Sequence, residues 1–261
     1  MADTLKRMEK VLILFQDGSE YLVRLEEKKL HTHLGTIDLG ELIGKDYGDV
    51  VKTSTGKVGF ILKPTLLEEI MKMKRRTQIV YPKDSSYIAL KLDVKEGDKV
   101  IDSGVGSGAM CAVLARHVGK TGKVFAYEKR KEFAELAREN LREWGLLDRV
   151  EIKVKDIGEG FDEKDVDALF LDVPDPWNYV KVCWEALRGG GRFAAVCPTT
   201  NQVQETLKEI NNLPFVKVEV WESLFRAYKP VHERFRPVDR MVAHTAYMIF
   251  AVKVKEKEAR I

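Results

Sequence analysis

Three glycines spaced two apart, and four acidic residues in or just after apolar runs, are the groups whose types and spacing suit chemistry. The run Val100-Ile-Asp-Ser-Gly-Val-Gly-Ser-Gly108 sets Gly104, Gly106 and Gly108 between a strand-like stretch and the helix-like Ala109–Ala115. A loop without Cβ atoms at a helix N-terminus lets backbone N–H groups approach a ligand closely. Glu128 closes the next apolar run about 20 positions on, where an acid can bond ribose hydroxyls. Asp156 follows Glu151–Lys155 and is placed either to accept from an adenine amino group or to cap a turn. Asp172 ends Ala168-Leu-Phe-Leu-Asp172, and a carboxylate closing a buried strand is costly unless used or paired. Pro174 and Pro176 then fix the backbone, and Trp177 could wall a pocket.

The ligand has two readings. Gly104-x-Gly106-x-x-Ala109 satisfies the dinucleotide fingerprint, with a pyrophosphate on the helix N-terminus. Asp102-Ser-Gly-Val-Gly-Ser-Gly108, including Val105 and Ser107, equally fits the loop that binds S-adenosylmethionine in methyltransferases. Asp102 separates them, because its charge suits a methionyl ammonium and opposes a pyrophosphate. An NAD-dependent oxidoreductase would also want a Tyr-x-x-x-Lys relay or a positioned histidine, and neither is evident. The methyl-donor reading leads.

These groups need a frame. Strands are expected at Lys99–Asp102, Lys123–Tyr127, Val150–Lys153, Ala168–Asp172 and Gly191–Cys197, with helices between them, notably Lys131–Trp144 and Trp177–Leu187. Such alternation predicts a parallel sheet covered on both faces. Phe215–Trp221 and Ala243–Val254 are strand-like runs with no helix between, which suits an antiparallel hairpin at one sheet edge. The fold class is therefore α/β, Rossmann-like, with a mostly parallel seven-stranded sheet. Ligands in such sheets bind beyond the carboxyl ends of the strands, where the glycine loop, Asp156 and Asp172 all lie. Upstream, Val11–Gln16 and Ser19–Leu25 flank Asp17-Gly18, a hairpin signal, and short β segments follow at Asp49–Lys52 and Lys57–Leu62. This predicts a small β-rich domain over 1–63 and a larger domain over 64–261. Pro64 opens a helix over Thr65–Lys74, and Asp84-Ser85 is expected to cap another over Ser86–Leu92.

Composition narrows the classes further. The chain has 261 residues, 44% of them hydrophobic, enough for one large core and an appendage. No apolar run approaches the ~18 residues of a membrane span. The opening Met-Ala-Asp-Thr-Leu-Lys-Arg has no leader-like stretch, so a cytoplasmic location is expected. Cys111, Cys183 and Cys197 lack metal-like spacing and read as reduced, buried thiols. His31-x-His33 has no further ligand nearby and reads as a hydrogen-bonded turn, so no metal is expected. Net charge is only +3, so nucleic-acid binding would have to come from local patches. Lys72–Arg76 is one, and the segment holding Arg226, Lys229, Arg234, Arg236 and Arg240 is the other.

Arg75-Arg-Thr-Gln-Ile-Val-Tyr-Pro-Lys-Asp84, the glycine loop, Leu171-Asp-Val-Pro-Asp-Pro-Trp177, Cys197-Pro-Thr-Thr-Asn-Gln-Val203 and His244-Thr245 together resemble the bacterial and archaeal tRNA (adenine-N1)-methyltransferases acting on adenosine 58 of the T-loop. The resemblance covers essentially the whole chain. It implies a class I methyltransferase fold, S-adenosylmethionine as donor, tRNA as partner and a homotetramer. It puts donor contacts at Gln78, the Gly104–Gly108 loop, Glu128 and Asp156, with Asp172 as catalytic carboxylate. Tyr81 becomes a wall for the target base, and Trp177, Arg234, Arg236 and Arg240 lie on the tRNA side. Ser103 and Val105 depart from the pattern only where such loops vary. Adenine N1 carries a lone pair and no proton, so the implied role of Asp172 is electrostatic rather than proton abstraction. A non-catalytic tRNA-binding subunit is the other reading, though it would not need the glycines, Glu128 and Asp172 together.

Overall fold

The computed structural model describes residues 4–256; Met1–Asp3, part of the stretch expected to lack a leader, lie outside them. The chain divides into two compact units, one running to Met73 and one from Lys74.

In the first unit, β1 (Lys10–Phe15), β2 (Glu20–Arg24), β5 (Val50–Lys52) and β6 (Val58–Leu62) form an antiparallel sheet in the order β2-β1-β6-β5. The turn at Asp17-Gly18 works as expected, with Gly18 at φ 83°. A separate hairpin pairs β3 (Lys29–Thr32) with β4 (Gly35–Asp38). Val11, Ile13, Phe15, Ile37 and Ile61 build its core. His33 bonds Asp17 at 2.8 Å and the Tyr21 hydroxyl at 3.0 Å, so this histidine does serve a hydrogen-bonded turn. The helix α1 (Leu66–Met71) opens on a reciprocal cap between Thr65 and Glu68 and groups with this unit. The first compact unit therefore includes α1.

The second unit is an α/β sandwich. Its strands are β7 (Lys99–Ser103), β8 (Lys123–Glu128), β9 (Val150–Val154), β10 (Val166–Leu171), β11 (Leu187–Cys197), β12 (Phe215–Trp221) and β15 (Tyr247–Lys253). Its helices are α2 (Pro82–Lys91), α3 (Ala109–His117), α4 (Lys131–Glu143), α5 (Val180–Ala186) and α6 (Thr200–Asn211). The sheet runs β12-β15-β11-β10-β7-β8-β9, parallel except for β15, which is antiparallel to both neighbours. The expected mostly parallel seven-stranded sheet is thus present. Its last strand inserts between β11 and β12, burying Ile249 and Ala251 in the core beside Phe193 and Phe215. Between β12 and β15 a two-residue ribbon, β13 (Tyr228–Lys229) with β14 (Arg236–Pro237), carries the basic segment.

Three local expectations needed correction. Helix α2 begins at Pro82 with Tyr81 as its cap, so Asp84 and Ser85 lie inside its first turn, buried rather than capping. Proline suits that first helical position because its missing N–H would be unpaired there anyway. The stretch Trp177–Leu187 breaks into a 3-10 turn over Pro176–Tyr179 followed by α5, and Leu187 already belongs to β11. Helix α6 was not anticipated, although Thr199 and Gln202 form the reciprocal cap that marks a helix start.

Register sets the working edge. Leu171 pairs with Ser103, and Ser103 with Tyr127, so β10 and β7 end in one row and β8 runs one residue past it. The next residues of each strand, Asp172, Gly104 and Glu128, emerge side by side.

Candidate active site

Backbone bonds lock that corner. The Asp172 N–H donates to the Ser103 carbonyl at 2.8 Å, and the Gly104 N–H donates to the Tyr127 carbonyl at 2.9 Å. Gly104 has φ 87°, and a Cβ there would lie 1.8 Å from the Asp172 carbonyl oxygen. Its glycine is therefore demanded by the chain's own close approach, not only by a ligand. Gly108, at φ 88°, caps α3 and faces Ala137 of α4.

The loop opens on a cavity of about 510 Å³. Among the expected donor-site residues, Gln78, Gly104, Gly106, Glu128, Asp156 and Asp172 line it. Asp102, Val105, Ser107 and Gly108 do not; they are buried behind it. Glu128 accepts from the Gly106 N–H and the Arg130 N–H, each at 3.0 Å, which ties the glycine loop to the end of β8. Asp156 accepts from the Gly158 N–H at 2.9 Å and pairs with Lys129 at 2.9 Å. Those two contacts hold its carboxyl below the usual range, so it is both a turn cap and a cavity wall.

A second cavity, about 440 Å³, adjoins the first through shared Gln78 and Asp172. Tyr81 lines it from the start of α2, together with Val196 in β11, Pro198 just after it, and His244 and Thr245 before β15. Trp177 lines neither cavity. Arg234, Arg236 and Arg240 lie on the exposed ribbon segment, where Arg236 and Lys229 both pair with Asp239.

The electrostatics of the inner corner are lopsided. Asp102 is 1% exposed; its one polar neighbour is the buried Cys111 thiol of α3, and no stronger donor reaches either carboxylate oxygen among the described residues. Ser103 Oγ is buried as well, with no partner among the described residues. Burial, then the nearby Asp172, push the Asp102 carboxyl up to about 7. Burial and Glu128 push Asp172 up to about 7 as well. Three carboxyl groups share this corner, and only Glu128 has a cation and backbone donors beside it. The rim cations are already committed: Lys129 to Asp156, Lys155 to Asp162 at 2.7 Å, and Arg130 near Glu128 at 3.5 Å. The arrangement suits a ligand with positive charge at the inner end and ribose hydroxyls toward Glu128. It opposes a pyrophosphate.

Several contributors escaped the sequence reading. Asn140 of α4 donates to the Ser107 carbonyl at 2.9 Å and to the Lys74 carbonyl at 3.1 Å, fastening the segment that carries Thr77 and Gln78 to the loop. A polar residue on the apolar face of an amphipathic helix was the available signal. Tyr179 lines the first cavity from the turn after Asp172 and gave no such signal. All three cysteines are buried free thiols, as expected.

Comparison with known proteins agrees with this geometry. The family described as the tRNA methyltransferase complex GCD14 subunit matches residues 57–235. A Methanocaldococcus jannaschii tRNA (adenine(57)-N(1)/adenine(58)-N(1))-methyltransferase, TrmI, is 32% identical over 92% of this chain and 93% of its own length. The crystal structure of tRNA (m1A58) methyltransferase TrmI from Aquifex aeolicus is 37% identical with a TM-score of 0.88, covering 97% of this chain and 100% of that one. A structure from Thermotoga maritima, described as a SAM-dependent O-methyltransferase, is 72% identical with a TM-score of 0.96 over 98% and 97% of the two chains. With a family match over most of its length and such relatives spanning nearly all of it, the chain belongs to the GCD14-type tRNA methyltransferase family.

Proposed function

We propose that this protein methylates N1 of adenosine 58 in the tRNA T-loop, using S-adenosylmethionine. The observation that carries the reading is the junction at Asp172, where a ribose-and-cation cavity meets a second cavity walled by an aromatic ring. When bound, S-adenosylmethionine supplies a methyl group made electrophilic by a sulfonium centre.

The protein's own groups divide the remaining work. Glu128 offers acceptors for ribose hydroxyls, Asp156 for an adenine amino group, and Gln78 a polar contact at the junction. Asp102, from behind the glycine loop, adds the buried negative charge that favours the cationic end. Val105, Ser107 and Gly108 shape that loop without lining the cavity. Asp172 accepts from the 6-amino group of the target adenine and stabilises positive charge as the ring becomes cationic. Tyr81 walls the target base, a stacking contact worth about 1–3 kcal/mol. Because N1 lies on the pairing edge, the base must leave its tertiary contacts to enter the cavity. Trp177, Arg234, Arg236 and Arg240 are assigned to the tRNA side.

The reading extends to a homotetramer acting in the cytoplasm, where tRNA is available. Supporting assembly, Leu224, Phe225, Phe235 and Val242, all from the segment that carries the ribbon, are exposed, and clustered exposed apolar residues mark interaction surfaces.

The test is to incubate a tRNA transcript with the protein and S-adenosylmethionine, then map the modified nucleotide. Methyl at N1 of adenosine 58 supports the proposal. Methyl on an oxygen, or no methyl on tRNA, overturns it. Additional methyl at position 57 would widen the acceptor range.

A further inference from the structure

Lys83 and Asp84 sit where α2 meets both ends of the long excursion between β12 and β15, and the reaction proposed above does not use them. Asp84 is almost wholly buried. Its Oδ1 accepts from Ser223 Oγ at 2.6 Å and its Oδ2 from Thr245 Oγ1 at 2.6 Å. Lys83 Nζ shares its three N–H groups among five acceptors within hydrogen-bond distance: the two carboxylate oxygens at 2.9 and 3.1 Å, the Ser223 carbonyl at 2.9 Å, Ser223 Oγ at 3.1 Å and Thr245 Oγ1 at 2.6 Å. Each hydroxyl thus accepts from the ammonium and donates to the carboxylate, so the direction of both hydroxyl protons is fixed. Ser223 lies just after β12 and Thr245 just before β15. One buried carboxylate therefore grips both necks of the excursion.

The downstream neck is also a wall of the second cavity, through Val242, His244, Thr245 and Ala246. Asp84 reaches the same wall while Ser223 does not, so the Ser223 variants separate clamping from direct contact. His244 is held between two acceptors, Glu222 Oε1 at 2.6 Å from Nδ1 and the Pro198 carbonyl at 2.9 Å from Nε2. The Pro198 carbonyl and the Glu222 carboxylate favour the protonated ring and raise the His244 pKa above its usual value, and the ring joins the same two necks to the end of β11. The pieces that would hold tRNA and the pieces that would enclose its base are one connected body, and Asp84 is its hub. Such a network is worth most when every member is satisfied, as here.

We propose that Asp84 is a positioning residue, clamping both necks of the excursion to α2 with Lys83 and so fixing the acceptor cavity's wall and the basic ribbon relative to Asp172. The inference rests on the reading of the second cavity as the site of the tRNA base.

The test uses three variants of the full chain: Asp84→Asn, Ser223→Ala and Ser223→Thr. For each, donor affinity is measured by calorimetry, and kcat and KM are measured with a tRNA transcript. Asp84→Asn and Ser223→Ala should lower kcat/KM for tRNA, about tenfold or more for the former, while donor Kd stays within about twofold. Ser223→Thr, which keeps the hydroxyl, should restore the loss. Unchanged kcat and KM in Ser223→Ala, or parallel losses of donor affinity and turnover, would overturn the clamp. If Asp84→Asn does not fold, the Ser223 pair decides alone. Absence of wild-type turnover on tRNA would overturn the acceptor reading together with the clamp. Normal wild-type turnover with unaltered variants would overturn the clamp only.

Discussion

Asp102 and Asp172 are poised rather than settled. Each is pushed up to about 7 in the ligand-free protein by burial and by other carboxylates. A cation entering the inner end of the corner favours the charged form of Asp102, so donor binding below neutrality should release protons. Affinity for S-adenosylmethionine should accordingly rise with pH and level off above about 8. Calorimetry in two buffers of different ionisation enthalpy measures that release, and a pH-independent affinity would contradict it. Stability of the free protein should move the other way. A raised folded-state pKa favours folding fully below the unfolded value of about 3.8 and loses that contribution as pH climbs through about 7. Asp102→Asn should therefore raise the melting temperature of the free protein at pH 8 while weakening donor binding. The role of Asp172 is different, since it lies at the junction of the two cavities. Asp172→Ala should bind donor with little change yet lose roughly 10²–10³ in single-turnover rate, the usual loss on removing a preorganised electrostatic group. Near-normal turnover would remove Asp172 from that role.

At the scale of elements, the glycine loop makes the sharpest demand. Gly104→Ala would set a Cβ against the Asp172 carbonyl at a positive φ, whereas Gly106→Ala would meet Thr77 Oγ1 at 3.2 Å. The first should cost several kcal/mol and displace Asp172, and the second should be milder. Melting temperatures and donor affinity of the two variants check that order. The parallel strands and the β12–β15 exception were legible because their apolar runs and missing crossover helix are local signals. So were Glu128, Asp156 and Asp172, which end or follow such runs, whereas Gln78 came only from the family resemblance. Asp84 was misread for a physical reason: as a short polar side chain beside a serine it looks like a cap, and only tertiary packing reveals its partners at Ser223 and Thr245. Asp102 was expected in the donor cavity, but a residue one position before a strand's end points according to the pleat, and here that is inward. Asn140 joins the site from α4, distant in sequence from the glycine loop it fastens, and Tyr179 reaches the cavity only because the turn after Asp172 folds back, which no spacing rule foretells.

For the molecule as a whole, charge is nearly balanced at +3, so attraction to tRNA must be concentrated. On the ribbon segment, Lys229 and Arg236 share Asp239, while Arg226, Arg234 and Arg240 have no ion pair among the described residues. Arg234→Glu should consequently weaken tRNA binding more than Arg236→Glu and reduce the salt slope by about 1. Binding curves at several salt concentrations decide it, and unchanged affinity for both variants would place the tRNA surface elsewhere. The aromatic side of the same segment makes a separable prediction. Tyr228 stacks on Phe235 at 5.0 Å, yet Phe235 remains 68% exposed and Phe225 64% exposed. Fully burying such a side chain is worth about 1.5–3 kcal/mol, so a second copy of the chain covering this face would bury several at once. If the ribbon lies between copies, Phe225→Asp and Phe235→Asp should each lower the native mass measured by light scattering from four chains toward one or two. Arg234→Glu should leave that mass unchanged, because its guanidinium contributes charge toward RNA rather than apolar area. A wild-type mass of one chain would refute the assembly, and equal dissociation by the arginine and phenylalanine variants would mean that tRNA binding and self-association share one surface.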